Sequence, residues 1–93
     1  MTLILAPRAT RDLRAIAACL RRENPSAALA TLSVIAASID NLSQHPQMGR
    51  RLNTAGVRRL AIPRTPYIAF YRIAGDDILV FHVRDGRRKP FRQ

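Results

Sequence analysis

The first half of the chain has the hydrophobic spacing of two amphipathic helices. After a short apolar run at residues 3–5, apolar residues recur at i, i+3, i+4 and i+7 through residues 13–20. A second series, spaced by three and four, runs through residues 28–42 and ends before Pro46. Asn24-Pro25, a favoured N-cap followed by a favoured first helical residue, separates the two series. The pattern predicts a strand followed by an antiparallel hairpin of two helices.

Beyond residue 56 the hydrophobic period changes from 3.6 to 2, which predicts strands. The runs at 57–62, 67–73 and 77–83 are rich in β-branched and aromatic residues, and "AGDD" predicts a tight turn between the last two. The fold class is therefore α+β: an N-terminal strand, a two-helix antiparallel hairpin and a three-stranded antiparallel β-meander. Ninety-three residues make a single domain, 1–93, in which 84–93 are expected to form a basic C-terminal tail.

Pairing Ala74 with Asp77 across the predicted turn assigns each residue of the last two strands to a face. One face is expected to hold Ile68, Phe70, Arg72, Leu79, Phe81 and Val83. The other is expected to hold Tyr67, Ala69, Tyr71, Ile73, Ile78, Val80, His82 and Arg84. Both faces are largely apolar and the helices can cover only one, so a partner chain or self-association is expected to cover the other. The pattern leaves open which face meets the helices.

The charge of the chain is strongly basic and uneven. The formal net charge is +10; residues 1–49 carry a net +2 and residues 50–93 a net +8. Such a field attracts polyanions or an acidic protein, although charges that are merely solvated would give the same composition. The single cysteine, Cys19, excludes an internal disulfide. With no run of 18 apolar residues and no secretory signal pattern, we expect a cytoplasmic protein without a membrane span.

Six short stretches, in order, resemble the RelE/ParE superfamily of bacterial type II toxin–antitoxin toxins. They are "A…DL..I" (9–16), "NPSAA" (24–28), "L..HPQMGR" (42–50), "GVRRL" (56–60), "PYIAFYRI" (66–73) and "ILVFHVRDGRR" (78–88). The resemblance implies a β-α-α-β-β-β fold and a growth-inhibiting toxin of the kind linked to plasmid stabilization. It also implies a hetero-oligomer with a cognate antitoxin whose acidic, partly disordered segment wraps around the toxin.

The resemblance favours the ParE-like branch, whose members are associated with inhibition of DNA gyrase. The stretch "YRI" at 71–73 has the form common in ParE-like sequences, and no tyrosine follows Tyr71 to serve as the catalytic tyrosine of RelE-like nucleases. We therefore expect a toxin that binds its target and is not an enzyme. The alternative is a RelE-like, metal-independent and ribosome-dependent mRNA endonuclease. A third interpretation, a non-toxic basic nucleic-acid-binding module, is disfavoured because no basic face with interleaved aromatic residues is evident.

The candidate site residues follow from this comparison and from the predicted faces. For the nuclease alternative, the catalytic candidates are His82, Arg84 and Arg88, with Tyr67 expected beside the first two; His82 could instead make only a local hydrogen bond. Target or antitoxin binding is expected at Arg58, Arg59, Tyr67, Arg72, Arg84, Arg87 and Arg88, with Arg58 and Arg59 on opposite sides of their strand. No Cys/His cluster and no glycine-rich phosphate loop are present, so neither a metal nor a cofactor is expected.

Overall fold

The computed structural model describes residues 1–87, which form a helical hairpin packed on one five-stranded sheet. Chain order is β1 (Thr2–Leu5), α1 (Pro7–Glu23), α2 (Pro25–Asp40), β2 (Arg50–Arg51), β3 (Val57–Ala61), β4 (Tyr67–Ala74) and β5 (Asp77–Asp85). The sheet order is β1-β5-β4-β3-β2, with β1 parallel to β5 and the other neighbours antiparallel. The predicted α+β architecture is confirmed. The sequence pattern did not predict β2, because two arginines carry no hydrophobic period.

The connection between the helices has no loop, because Asn24 serves both of them. Its backbone N–H donates to the Leu20 carbonyl at 2.8 Å and ends α1, and Pro25 begins α2. Its side chain does not bond to the backbone of α2, and instead Oδ1 accepts from the Ser26 hydroxyl at 3.2 Å. The helix start is therefore as predicted, whereas α2 ends at Asp40, earlier than expected, and a 3₁₀ turn follows at Asn41–Ser43.

The core lies between the helices and one face of the sheet. Ile35 and Leu42 from the helical side meet Tyr71, Ile78 and Val80 from the sheet, and all five are at most 2% exposed. Burying apolar side chains of this size contributes about 1.5–3 kcal/mol each, so these contacts supply much of the stability. The face that carries Tyr71 is therefore the one that meets the helices, which the sequence pattern left open.

An extra residue in β5 changes the predicted register. Tyr71 pairs with Val80 as expected, but Phe70 pairs with His82, so Phe81 forms a β-bulge. The predicted pairings of Phe70 with Phe81, of Ala69 with His82 and of Tyr67 with Arg84 are therefore wrong. Ala69 pairs with Val83, and Ile68 with Arg84. Beyond the bulge, Val83 turns to the helices while His82 and Arg84 turn to the outer face, since a shift of one residue exchanges the faces of a strand.

A buried tyrosine fastens the loop before β2 to the sheet. The Tyr71 hydroxyl donates to the Pro46 carbonyl and accepts from the Gly49 N–H, both at 2.8 Å. A Cβ atom at Gly49 would lie 2.6 Å from Cε1 of Tyr71, so only glycine permits this approach. Arg58 adds a bond from Nη1 to the Gly49 carbonyl at 2.8 Å. Arg58 thus has a structural role on the helix-facing side, and Arg59 lies on the opposite side, as predicted.

The second helix is more apolar than its share of the core requires. The segment Pro25–Ser43 has a mean hydropathy of 1.3 and is long and apolar enough to cross a membrane, which the sequence prediction did not anticipate. A core helix of a small protein meets the same test, and Ile35 and Ile39 of α2 do belong to the core. Only 22% of the segment is buried, however, so α2 leaves apolar surface uncovered.

The variant Tyr71→Phe is expected to lower the free energy of unfolding by about 1–3 kcal/mol, because it leaves the buried Gly49 N–H and Pro46 carbonyl without a partner. Urea denaturation followed by circular dichroism measures this change. Tyr67→Phe is the matched control, since within residues 1–87 the Tyr67 hydroxyl makes no hydrogen bond. Equal losses in the two variants would contradict the role of the Tyr71 hydroxyl.

Stability is also expected to fall in alkali. Burial raises the pKa of Tyr71, and burial followed by the charge of Asp85 raises the pKa of Tyr67, both from 10.0. A raised pKa means that the folded state holds the proton more tightly. The resulting stability is complete below about pH 10 and is lost as the pH rises through the folded-state pKa. Urea midpoints measured from about pH 8 to about pH 11.5 should decline, and the decline should be shallower in Tyr71→Phe.

Candidate functional site: an arginine–aromatic face

The face of the sheet turned away from the helices places arginines over aromatic rings. We call it the arginine–aromatic face; it comprises Arg59, Phe70, Arg72, Phe81, His82 and Arg84. The guanidinium carbon of Arg72 lies 5.8 Å from the centre of the Phe81 ring, and that of Arg84 lies 5.5 Å from the centre of the Phe70 ring. Both distances are within the cation–π range of about 6 Å. The arginines therefore cover part of the apolar surface that was predicted to need a partner. The face also has the interleaved basic and aromatic residues that were not evident from the sequence, so that argument against a nucleic-acid-binding module does not hold.

The arginines of this face lack carboxylate partners. Within residues 1–87 the ion pairs are His82–Asp12 and Arg87–Asp85, so no carboxylate lies within 4.0 Å of Arg59, Arg72 or Arg84. Arg84 donates one bond, at 3.3 Å, to the Asp85 carbonyl. A guanidinium has five N–H donors in a planar fork, which suits carboxylate and phosphate groups. In the part of the chain that the structure describes, the face thus offers positive charge without a carboxylate partner.

His82 is held by an acid from the first helix. Its Nδ1 lies 2.8 Å from Oδ2 of Asp12, and the same oxygen accepts from the Val83 N–H at 3.0 Å. The imidazole also stacks on Phe70, with 5.6 Å between ring centres and 16° between planes. A proton on Nδ1, donated to the carboxylate, leaves Nε2 with the free lone pair. The local hydrogen bond considered for His82 therefore exists, and it gives the ring a defined orientation.

Asp12 also closes an open edge of the sheet. The strand β1 pairs with β5 only as far as Val80, so among residues 1–87 no strand pairs with the remainder of β5 on that side. The bond to Val83 satisfies a backbone N–H that would otherwise face solvent along an unpaired edge. Sequence reasoning missed Asp12 as a functional residue. The available signal was a single acid within the arginine-rich part of α1.

The predicted trio of Tyr67, His82 and Arg84 does not share a face. Tyr67 points toward the helices and is 7% exposed, whereas the bulge turns His82 and Arg84 to the outer face. The three side chains meet only around the open edge of β5, where they line a cleft of about 320 Å³. His82 and Arg84 do lie together, since both contact the Phe70 ring.

The remaining candidates divide by environment. Arg87 is exposed, and its guanidinium makes two bonds to the Asp85 carboxylate, at 2.9 and 3.2 Å, which raise the pKa of the guanidinium. Arg58 donates a hydrogen bond to the Gly49 carbonyl, in the loop that the Tyr71 hydroxyl holds. Arg88 lies outside the described residues. Of the predicted binding arginines, the structure therefore brings together Arg59, Arg72 and Arg84.

The variant Asp12→Ala is expected to destabilise the fold by about 1–3 kcal/mol. The reason is that the His82 ring and the Val83 N–H both lose the carboxylate that accepts their hydrogen bonds. It should also increase hydrogen exchange at the Val83 amide and free the His82 ring, as seen by NMR. Asp40→Ala serves as the control, since within residues 1–87 that carboxylate makes no hydrogen bond or ion pair. A Val83 amide that stays equally protected in Asp12→Ala would contradict the assignment.

Comparisons of the sequence and of the structure with known proteins point to the same family. Residues 3–90 match the family model of the ParE toxin of type II toxin–antitoxin systems, parDE. A putative toxin, Y4kP, of Sinorhizobium fredii is 35% identical over 69 residues, which cover 74% of this chain and 72% of that protein. Toxin RelE3 of Caulobacter vibrioides is 32% identical over 82 residues, which cover 86% of this chain and 88% of the relative.

A solved structure from Pseudomonas, described as the chromosomal ParDE TA system from P. aeruginosa, superposes with a TM-score of 0.82 at 28% identity. The superposition covers 91% of this chain and 95% of the other. Sequence family, relatives and fold agree over nearly the whole chain. The chain belongs to the ParE toxin family of type II toxin–antitoxin systems.

Proposed function

We propose that the arginine–aromatic face binds the cellular target of this toxin, and that the target is DNA gyrase. The observation that supports this is the set of three arginines on the sheet, Arg59, Arg72 and Arg84, none of which has a carboxylate partner among residues 1–87. Unpaired charge of this density speeds association with an acidic surface and gives the contact its specificity. Inhibition of gyrase in the cytoplasm would stop growth, and a cognate antitoxin would prevent it.

This site is better suited to binding than to catalysis, because it has too few side chains that can transfer a proton. Cleavage of a phosphodiester needs one group to remove a proton and another to donate one. Among the described residues of the arginine–aromatic face, His82 is the side chain of a type that serves as a general acid or base. Tyr67, the other candidate, points into the core. The arginines, by contrast, need no partner group in order to bind an anionic surface.

One observation favours a second function, metal-independent RNA cleavage. The Asp12 carboxylate orients the imidazole of His82 at 2.8 Å, and Arg84 lies on the same Phe70 ring, where it could hold a phosphate. An oriented imidazole beside an arginine is a known arrangement for general acid–base work. The relative named Toxin RelE3 matches over most of both chains, so this possibility stays the alternative.

The double variant Arg72→Glu/Arg84→Glu is expected to weaken inhibition of gyrase supercoiling by at least about tenfold, because two guanidinium contacts become repulsive. Supercoiling of relaxed plasmid by purified gyrase, titrated with toxin, measures it. Arg11→Glu is the control, being an exposed arginine on α1 outside the face. Wild-type chain that leaves supercoiling intact at every concentration would overturn the gyrase proposal.

The variant His82→Ala separates the two functions. If the toxin acts by binding gyrase, removing the imidazole should change the inhibition by less than about threefold, as for a rim contact. If it cleaves RNA, removing its proton-transfer group should abolish ribosome-dependent cuts, typically by about 10²-fold or more. Primer extension on messenger RNA from cells that express the toxin reads out the second case. Cuts that disappear in His82→Ala would favour the nuclease.

A further inference from the structure

A polar slot lies at the edge of the sheet where β2 ends. The strand β2 pairs with β3 over two residues, so Ala61, further along β3, has no strand beside it on that side within residues 1–87. The slot runs from α2, around this open edge, to the outer side of the sheet. We call it the edge slot; it has a volume of about 480 Å³, and its lining includes Ser38, Asn41, Met48, Arg50, Arg59 and Ala61.

Two arginines stand side by side at the outer end of the edge slot. Arg50 of β2 and Arg59 of β3 are opposite each other in the register, so their side chains leave the same face of the sheet. Like charges in this position destabilise a strand pair. Among residues 1–87 neither guanidinium makes a hydrogen bond or has a carboxylate within 4.0 Å. An anion between them would replace this repulsion with two attractions.

A hydroxyl group opens into the inner end of the slot. Ser38 of α2 is 8% exposed, and within residues 1–87 its hydroxyl makes no hydrogen bond. The described residues include no fully enclosed side-chain oxygen without a partner, so this oxygen is not sealed in the core. Because Ser38 lines the slot, its hydroxyl is available to a ligand there.

Two further hydrogen-bonding groups lie between these ends. The Asn41 carboxamide makes no hydrogen bond within residues 1–87, and it offers both a donor and an acceptor. The backbone N–H and C=O of Ala61 point to the open side of β3, because alternate residues of an antiparallel strand bond in opposite directions. The next residue, Ile62, donates its N–H to the Tyr67 carbonyl on the β4 side.

We propose that the edge slot binds a nucleoside phosphate, with the phosphate between Arg50 and Arg59 and the base at the inner end. The inference goes beyond target binding and does not depend on what the target is. A phosphate suits the two arginines better than a carboxylate does. One bidentate arginine already occupies both oxygens of a carboxylate, whereas a phosphate presents three acceptor oxygens and up to two negative charges.

The inner end of the slot suits a base. A carboxamide such as that of Asn41 can make paired hydrogen bonds to the edge of adenine, and the Ser38 hydroxyl adds a third polar group. Met48, which is 46% exposed, and Pro63 supply apolar surface for the faces of the ring. The volume also falls in the range of small-molecule sites, about 300–1,000 Å³.

A peptide strand is a poorer occupant of the same edge. Strand addition uses a row of backbone donors and acceptors. On the open side of β3, Arg59 is paired with β2, and Pro63 has no N–H to donate. Ala61 therefore supplies the backbone groups of this edge alone, which is too short a row for a strand but enough for one small ligand.

The test titrates adenosine diphosphate into the full-length chain and follows binding by calorimetry at fixed salt. Arg50→Ala is expected to weaken binding by at least about tenfold, because the phosphate loses one of its two guanidinium contacts. Arg51→Ala is the matched control, since Arg51 is exposed, lies outside the slot and carries the same charge; it should change binding by less than about twofold. Equal losses in the two variants would reduce the effect to attraction by the net charge and overturn the proposal, as would no binding by the wild-type chain.

A second arm tests the base. Asn41→Ala is expected to weaken binding of adenosine diphosphate by about fivefold and to leave binding of inorganic pyrophosphate unchanged, because pyrophosphate has no base. Asn53→Ala, exposed and outside the slot, should affect neither ligand. Pyrophosphate that binds as tightly as adenosine diphosphate would contradict a nucleotide site, and so would an Asn41→Ala variant that weakens both ligands equally.

Discussion

One extra residue in β5, Phe81, determines which side chains the sheet presents to a partner. Without the bulge, Val83 would face outward and His82 and Arg84 would face the helices, because a strand alternates its faces residue by residue. With the bulge, the inner face stays apolar along its length and the outer face gains an arginine and an imidazole. Asp12 stabilises this arrangement by accepting the Val83 N–H just beyond the bulge. The composition of the arginine–aromatic face therefore depends on a contact between α1 and β5.

The two sides of the molecule differ in how their apolar surface meets water. On the outer side of the sheet, guanidinium groups lie over the Phe70 and Phe81 rings, so the surface is cationic and its apolar area is reduced. On the helical side, aliphatic side chains such as Leu5 stay uncovered between basic residues. A flat cationic surface suits a large acidic protein. The two sides therefore offer different chemistry to a partner.

Much of the fold followed from local patterns. The helix hairpin, the tight turn at Gly75 and the three long strands were predicted because period, turn chemistry and β-propensity all act within a few residues. The two-residue strand β2 was not predicted, because its place depends on the Tyr71 hydroxyl, which fastens the preceding loop from more than twenty residues away. The same limit applied to the site: Arg59 and Arg72 were expected at a binding surface, but His82 and Arg84 were assigned to the face of Tyr67, whereas the bulge turns them to the outer face.

By itself the sequence determined the element types, their order, the strong positive charge of the second half and the family resemblance, since each depends on residue identity and short-range spacing. Only the tertiary structure decided which face of the sheet meets the helices and where the register shifts. It alone joined Asp12 to His82, because that bond spans seventy positions and leaves no local pattern. The bulge likewise leaves no recognisable signal in the sequence, because one extra residue hardly changes the composition or the hydrophobic period of the strand. The side chains that the arginine–aromatic face displays were therefore set by packing across the sheet.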